Sequence, residues 1–474
     1  MKTDFTRTLG YSTLSSEQFE KIHYATLSIL DRIGVNVFSA EARELLKNAG
    51  ARVNGEHVCI PPWMVKAALA SAPSSINISN RSGKHAMTLE NGRIYYGTGS
   101  DTPNVFDPYT GERRKAVKQD VANAARVCDA LPNVDFVMSM GLVSDAPLDR
   151  TYVHQFEAMT RNTEKPIIFT AGNLRDLRDI HEIASIIAGG EDELAAKGYI
   201  ILYDEPSSPL QHTPEAVEKL LYCAEKRIPC IYVPAVMLGA TGPVTPAGAL
   251  AQANAETLSG LVIHQLKAKG APFIAGGGAP PMDMRTMVCS YGAPERDLTC
   301  TSLVALARYY DLPSFTTAGS SDAQVFDQQA GLEAGFSLLI EGLAGGNLLH
   351  NIGYLGIGMT AALESIALCN EGIGMVRRLL RGVEVNDETL AVDLIEEVGP
   401  GGNFIAEEHT MNHFRDMIWR PDLLNRDVYE NWESAGAKSF GERANTKVRD
   451  ILENHKVKPL TASQLERIKN VIEG

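Results

Sequence analysis

The sequence predicts an α/β protein built on a (β/α)8 TIM barrel, with a helical addition before the barrel and a mostly helical one after it. Two observations predict this architecture. Eight short apolar runs recur between residues 94 and 353, each followed by a helical stretch, and eight such units in about 280 residues is the arithmetic of a closed barrel. Each run ends in small or polar residues, as strands do where they reach the face on which barrel enzymes place their chemistry. With 474 residues, 44% of them hydrophobic and 22% charged, the chain also has ample material for a large core. A doubly wound open sheet is the competing arrangement.

The elements come in order along the chain. Residues 16–72 read as helices joined by turns; "SEQFEKIHYATLSILDRIGV" carries apolar residues at helical spacing after a cap-like start. From residue 94 the apolar runs are "IYYGTG" (94–99), "DFVMSMG" (135–141), "PIIFTAG" (166–172), "YIILYDEP" (199–206), "PCIYVPA" (229–235), "PFIAGGG" (272–278), "PSFTTAG" (313–319) and "NLLHNIG" (347–353). Between them lie amphipathic stretches such as "KQDVANAARVCDALPN" and "TPEAVEKLLYCAEKR". The last barrel helix is expected at about 359–381, and Gly-Pro-Gly-Gly at 399–402 marks a bend in the segment beyond that helix. The expected division is therefore 1–93, an N-terminal helical extension packed on the barrel; 94–381, the (β/α)8 barrel that carries the chemistry; and 382–474, the C-terminal extension.

The formal net charge is −14, and no Lys/Arg stripe stands out, which argues against nucleic acid and anionic membranes as partners. The start of the chain has no apolar leader, and no run reaches the roughly 18 apolar residues of a membrane span, so a cytoplasmic location is expected. Seven cysteines are scattered without CxxC spacing, which suggests buried free thiols rather than disulfides or a zinc site.

The strand ends supply the candidates for chemistry: Tyr96 and Asp101 after the first run, Asp204 and Glu205 after the fourth, Gln211 and His212 just beyond, Asp322 and Gln324 after the seventh, and His350, Asn351 and Tyr354 after the eighth. No lysine sits at a strand end, which argues against a Schiff base. No HxH or HExxH spacing occurs there, so no metal is expected. The run "IAGGGAPPMD" offers backbone amides to a phosphate, although this fold's usual phosphate site lies after strands seven and eight. Structural roles compete throughout. His350 can be a hydrogen-bonded core histidine, Asp204 and Glu205 a helix cap and a salt-bridge partner, and Tyr96, Phe326 and Tyr354 plain core. A lyase or hydrolase using Asp204 or Glu205 as general base is the other enzymatic reading.

Three segments together resemble one family: "GTGSDTPNVFDPYTGERRKAVKQDVANAARVCDALPNVD", "AGSSDAQVFDQQAGLEAGFSLLIEGLAGGNLLHNIGYLGIGMTAALESIALCNE" and "GPGGNFIAEEHTMNHFR". They are similar to the trimethylamine methyltransferase superfamily, over about residues 16–465. The resemblance implies a (β/α)8 barrel that moves a methyl group from an amine to the Co(I) of a separate corrinoid protein. It implies no cofactor bound by this chain, cob(I)alamin carried by the partner, and docking of that partner at the C-terminal face of the barrel. Founding members carry pyrrolysine, whereas this chain has none, and its counterpart falls near Gln324. The resemblance therefore points to the non-pyrrolysine branch, which includes glycine betaine:corrinoid protein methyltransferases and enzymes for proline betaine or carnitine.

Physical chemistry agrees with that branch. A quaternary ammonium leaves as a neutral tertiary amine in an in-line SN2 displacement, so no residue is expected to act as acid or base. Positioning is the remaining task, and alignment lowers a barrier by roughly 7 to 11 kcal/mol. The cation's charge vanishes in the transition state, so aromatic faces suit it better than a carboxylate. Tyr96, Phe326 and Tyr354 are the expected cage. His350, with Asn351 or Gln324, is the expected anchor for a betaine carboxylate, and Gln211 and Asp204 complete the expected substrate-binding set. A non-catalytic betaine-binding barrel is the reading of another class, and the composition allows a homo-oligomer.

Overall fold

The structure is a computed structural model that describes residues 10–474. The reading of the first residues as free of an apolar leader falls in part on residues 1–9, outside the described ones.

Seven of the eight runs form one parallel sheet: β1 (Tyr95–Thr98), β3 (Ile167–Phe169), β4 (Ile200–Asp204), β5 (Cys230–Tyr232), β6 (Phe273–Gly276), β7 (Ser314–Thr317) and β8 (Leu348–Ile352), in the order β1-β8-β7-β6-β5-β4-β3. The second run, β2 (residues 136–137), closes the ring by parallel bridges from Phe136 to Gly97 and from Val137 to Ile167. It pairs so briefly because side chains take over its ladder. The Thr98 hydroxyl bonds both the amide and the carbonyl of Met138, and the Asp135 carboxylate accepts from the Tyr96 amide. A Cβ at Gly97 would lie 2.3 Å from the Phe136 ring, so only glycine lets these two strands meet.

A helix comes after each strand: α1 (Lys118–Ala130), α2 (Thr151–Asn162), α3 (Leu174–Ala188), α4 (Pro214–Lys226), α5 (Pro246–Lys267), α6 (Pro294–Tyr309), α7 (Gln328–Ala344) and α8 (Leu363–Leu380). Their starts are local sequence effects. Proline opens α4, α5 and α6, where its missing N–H costs nothing, and the Asp327 carboxylate accepts from the first amides of α7.

Alternation along the strands sends Phe136, Met138, Ile168, Ile201, Ile231, Val233, Ile274, Phe315 and Leu348 into the barrel interior. The hairpin Ile76–Ser79/His85–Leu89 packs Ile76, Ile78, Met87 and Leu89 against this cluster, plugging the N-terminal end of the barrel. The N-terminal segment holds the expected helices (Ser16–Ser28, Ala40–Asn48, Pro62–Ser71) and also short strands, Val35–Val37, Arg52–Asn54 and His57–Cys59, too brief to show a period in sequence. After the barrel, Phe440–Asn454 packs on α8 and α1, and Ala462–Glu473 packs on α3. All seven cysteines are free, and all but Cys289 are buried. No helix among the described residues is long and apolar enough to cross a membrane.

Candidate active site at the barrel mouth

The ends of β1, β4, β7 and β8 converge on one cluster of side chains. On β8, His350 faces the interior and stacks on Phe315, with ring centroids 4.1 Å apart and Tyr203 6.1 Å away. Its Nδ1 lies 2.7 Å from the Thr316 carbonyl. Burial pushes the imidazole down to about 3, so the ring is neutral at ordinary pH. A carbonyl only accepts, so Nδ1 carries the proton and Nε2 presents a lone pair.

Asn351, the next residue, adopts φ +82°, a conformation asparagine tolerates better than most residues. The pairing of β8 with β1 shifts register between Leu349 and Ile352, so Asn351 lies in a bulge one residue before the strand ends. Its Nδ2 donates to Thr317 Oγ1 at 2.8 Å, while its buried Oδ1 has no partner. The chain then turns so that the Tyr354 hydroxyl donates to the Ser100 carbonyl across the mouth. Gly99 makes room: a Cβ there would lie 2.1 Å from the Tyr354 ring.

Two half-buried carboxyl groups lie near this ring. Asp101, at φ +60° after β1, accepts from Gln155 Nε2 at 2.9 Å and Ser139 Oγ at 3.1 Å. Glu205, after β4, accepts from the Tyr203 hydroxyl. Burial is the main force raising both above the usual carboxylate range. Tyr203, Tyr291 and Tyr354 lie close enough to these groups, and to each other, to interact electrostatically.

Arg296 stands in the first turn of α6 and is only 4% exposed. Its guanidinium lies 4.3 Å from the centroid of the Tyr291 ring. It donates to the Tyr291 carbonyl at 3.0 Å, to Ser320 Oγ at 2.6 Å and to Thr317 Oγ1. It makes no ion pair among the described residues. Asp322 braces the Tyr291 loop, accepting from Ser290 Oγ at 2.5 Å and from the Tyr291 amide at 2.7 Å. The mouth thus brings together a buried cation that has no ion-pair partner among the described residues, aromatic hydroxyls and two carboxyls. That arrangement suits a small molecule bearing both charges.

Of the residues expected from sequence, His350, Asn351 and Tyr354 meet here, and Gln324 is exposed on the rim, its Nε2 3.3 Å from the Asp322 carbonyl. The others lie elsewhere. Tyr96 points outward, its hydroxyl donating to the Leu338 carbonyl on α7 at 3.1 Å, so it is core rather than cage. Phe326 packs toward Phe440 of the C-terminal extension, at 6.4 Å between centroids. Asp204 also points outward, to Lys219 Nζ of α4 at 2.9 Å; alternation gives the interior to its neighbours Tyr203 and Glu205. Gln211 pairs with Asn36 in the N-terminal sheet, away from the mouth. His212 is locked between Tyr232 and Ser259 at 2.8 Å each. The role expected of His350 changes as well, because a neutral ring whose only N–H serves Thr316 has no donor left for a carboxylate.

Sequence reasoning missed Tyr203, Tyr291, Phe315 and Arg296. The first and third are implied by alternation once the inward register is known. Arg296 carries a signal of its own: a cation in a helix's first turn opposes the helix dipole and asks for a reason. The glycine run after β6 serves packing, since a Cβ at Gly276 would lie 2.1 Å from the Phe315 carbonyl oxygen. Among the described residues, no group of three or more His, Cys, Asp or Glu is placed to hold a metal ion.

Residues 4–473 match the family model described as trimethylamine methyltransferase (MTTB). The chain is 35% identical to the trimethylamine methyltransferase MttB of Desulfitobacterium hafniense (strain DSM 10664 / DCB-2), covering 98% of this chain and 94% of that protein. It is 33% identical to MttB1 of Methanosarcina mazei, covering 97% and 94%. It is 30% identical to the glycine betaine methyltransferase of Desulfitobacterium hafniense (strain Y51), covering 94% and 93%. The crystal structure of the Methanosarcina barkeri monomethylamine methyltransferase shares the fold, with a TM-score of 0.54 at 12% identity, covering 96% of this chain and 90% of that one.

Proposed function

This chain belongs to the trimethylamine methyltransferase family, and on that premise we propose that it demethylates a quaternary amine, glycine betaine foremost, onto the Co(I) of a corrinoid held by a separate protein. The observation that carries the substrate is Arg296, a buried guanidinium with no carboxylate ion-pair partner among the described residues, beside a cluster of aromatic rings. A betaine completes it: the carboxylate neutralises Arg296, and the quaternary nitrogen rests among Tyr203, Tyr291 and Tyr354.

The corrinoid supplies the nucleophile, and this chain's residues supply alignment. Tyr354, held by Ser100, and Tyr203, held by Glu205, keep fixed orientations, so a bound methyl group is held in line without a further ordering cost. Burial favours the protonated form of Asp101 and Glu205. That matters because an ionised carboxylate beside the ammonium would stabilise the ground state more than the transition state, in which the positive charge fades. His350, neutral and stacked, forms a rigid wall. The chain contains only the twenty common amino acids. A tertiary amine would have to be activated by some other group, whereas a betaine arrives already charged.

A second reading has its own support, since relatives at 35% and 33% identity are named for trimethylamine. One assay separates the two. Cob(I)alamin is mixed with the protein, and loss of its absorbance is monitored after adding glycine betaine, proline betaine, carnitine or trimethylamine. Consumption with a betaine and none with trimethylamine supports the proposal; the reverse supports trimethylamine. Tight betaine binding without consumption, also with a native corrinoid protein present, identifies a non-catalytic binding barrel.

A further inference from the structure

Two surface features have no part in the barrel mouth, and they complement each other. The first is the segment directly after α8. Residues 383–408 contain eight acidic residues and no lysine or arginine. The helices Asp387–Leu390, Val392–Val398 and Glu408–Met417 bury none of their residues. Apolar side chains along the segment also point to solvent: Val383 is 82% exposed, Ile405 78% and Val392 65%.

The second feature is a cavity of about 670 Å³ at the start of β1, beside the last turns of α8 and remote from the mouth. Arg377, Arg378, Arg381, Arg415 and Arg420 line it around Trp419. Arg377 pairs with Asp135 at 2.5 Å. Arg378 and Arg381 reach only backbone carbonyls, and Arg415 lies over the Phe414 ring. No carboxylate pairs with Arg378, Arg381, Arg415 or Arg420 among the described residues. In a chain of net charge −14 this concentration of unpaired cations calls for an anionic occupant.

The chain's own acidic segment is not that occupant. It leaves the cavity at Gly382, whose carbonyl accepts from Arg378, and among the described residues its only ion-pair contact is Glu388 with His413 at 3.3 Å. A transient partner suits it less well, because the apolar side chains would stand in water whenever that partner was away. A second copy is always present and brings both features at once.

We propose that this face pairs two copies of the chain in a closed two-fold dimer, the acidic segment of each lying on the arginine-lined cavity of the other. Two-fold symmetry satisfies both cavities and both segments in one isologous contact. Apolar burial supplies the affinity, and the opposite charges set register and exclude other pairings.

The test is sedimentation velocity of the full chain at micromolar concentration. A dimer is expected. Reversing the segment (Glu384→Arg, Glu388→Arg, Glu396→Arg) or the cavity (Arg415→Glu, Arg420→Glu) should each yield monomers, with dissociation constants raised at least tenfold. An equimolar mixture of the two variants should restore a one-to-one dimer, since each segment then meets a cavity of opposite sign. A separate variant, Val392→Asp with Ile405→Asp, should also dissociate. Circular dichroism and cob(I)alamin consumption in the same samples report that the barrel is intact and keep this outcome separate from the substrate proposal. A monomeric wild type, a dimer indifferent to both reversals, or a monomer whose cavity binds pyrophosphate instead would each overturn the inference.

Discussion

Replacing Arg296 by Met or Lys tests the site most directly. A guanidinium has five N–H groups. Three of them serve Tyr291, Ser320 and Thr317, which leaves two for a substrate carboxylate. Hydrogen bonds to charged groups contribute about 1.5–3 kcal/mol each, so losing two at the lower figure costs about 3 kcal/mol. At about 1.4 kcal/mol per tenfold, Arg296→Met should raise the KM for glycine betaine roughly a hundredfold. Arg296→Lys keeps the charge but not the planar fork and should fall between, at roughly tenfold. The assay is initial-rate cob(I)alamin consumption with glycine betaine and, in parallel, with tetramethylammonium, which has the cation and lacks the carboxylate. Tetramethylammonium should be nearly indifferent to the Lys variant. Equal losses with both substrates, or an unchanged KM for betaine, would refute the assignment of Arg296 as the carboxylate anchor. Thermal melts accompany the kinetics, because the Met variant strands three buried acceptors.

The same geometry sets three further outcomes. Asp297, buried with Oδ1 unpartnered, is pushed up to about 6 by burial. A carboxyl whose folded value lies above its unfolded one is held protonated by the fold, so its contribution falls as pH rises from about 4 through about 6. Asp297→Asn should match wild-type stability near pH 4 and exceed it by up to about 3 kcal/mol above pH 7 in urea titrations. Because His350 is held down at about 3, the pH profile of kcat/KM should show no inflection near 6.5 that His350→Gln abolishes; finding one would show an imidazolium at work. Gly99→Ala drives a methyl into the Tyr354 ring and should raise the betaine KM while lowering the melting temperature, whereas Tyr354→Phe, which keeps the ring, should leave KM within a few-fold.

The barrel was legible in the sequence because its cause is local and repeated: an apolar run long enough to cross a sheet, then a helix, which in five of the eight cases starts with proline or a capping side chain. All eight runs form the barrel wall, and the ends of β1, β4, β7 and β8 supply the mouth. His350, Asn351 and Tyr354 could be named because polar residues at the end of a buried strand need a reason, and the bulge at Asn351 is that reason in part. The family was legible from extended segments. Tyr96 and Asp204 were misplaced because neighbouring strand residues face opposite sides, and a shift of one residue exchanges core for cavity. Phe326 and Gln211 were misplaced because distant segments claim them, the C-terminal extension and the N-terminal sheet respectively.

The sequence by itself determined the architecture and the family, both written in patterns spanning many residues. Only the tertiary structure decided which side chains share a space: Arg296 brought beside Thr317 and Ser320, Tyr203 beside Phe315 and His350, and the proton of His350 committed to Thr316. The physical reason is that local propensity acts along the chain. Charge, desolvation and stacking act through space, between residues the chain brings together only when the barrel closes.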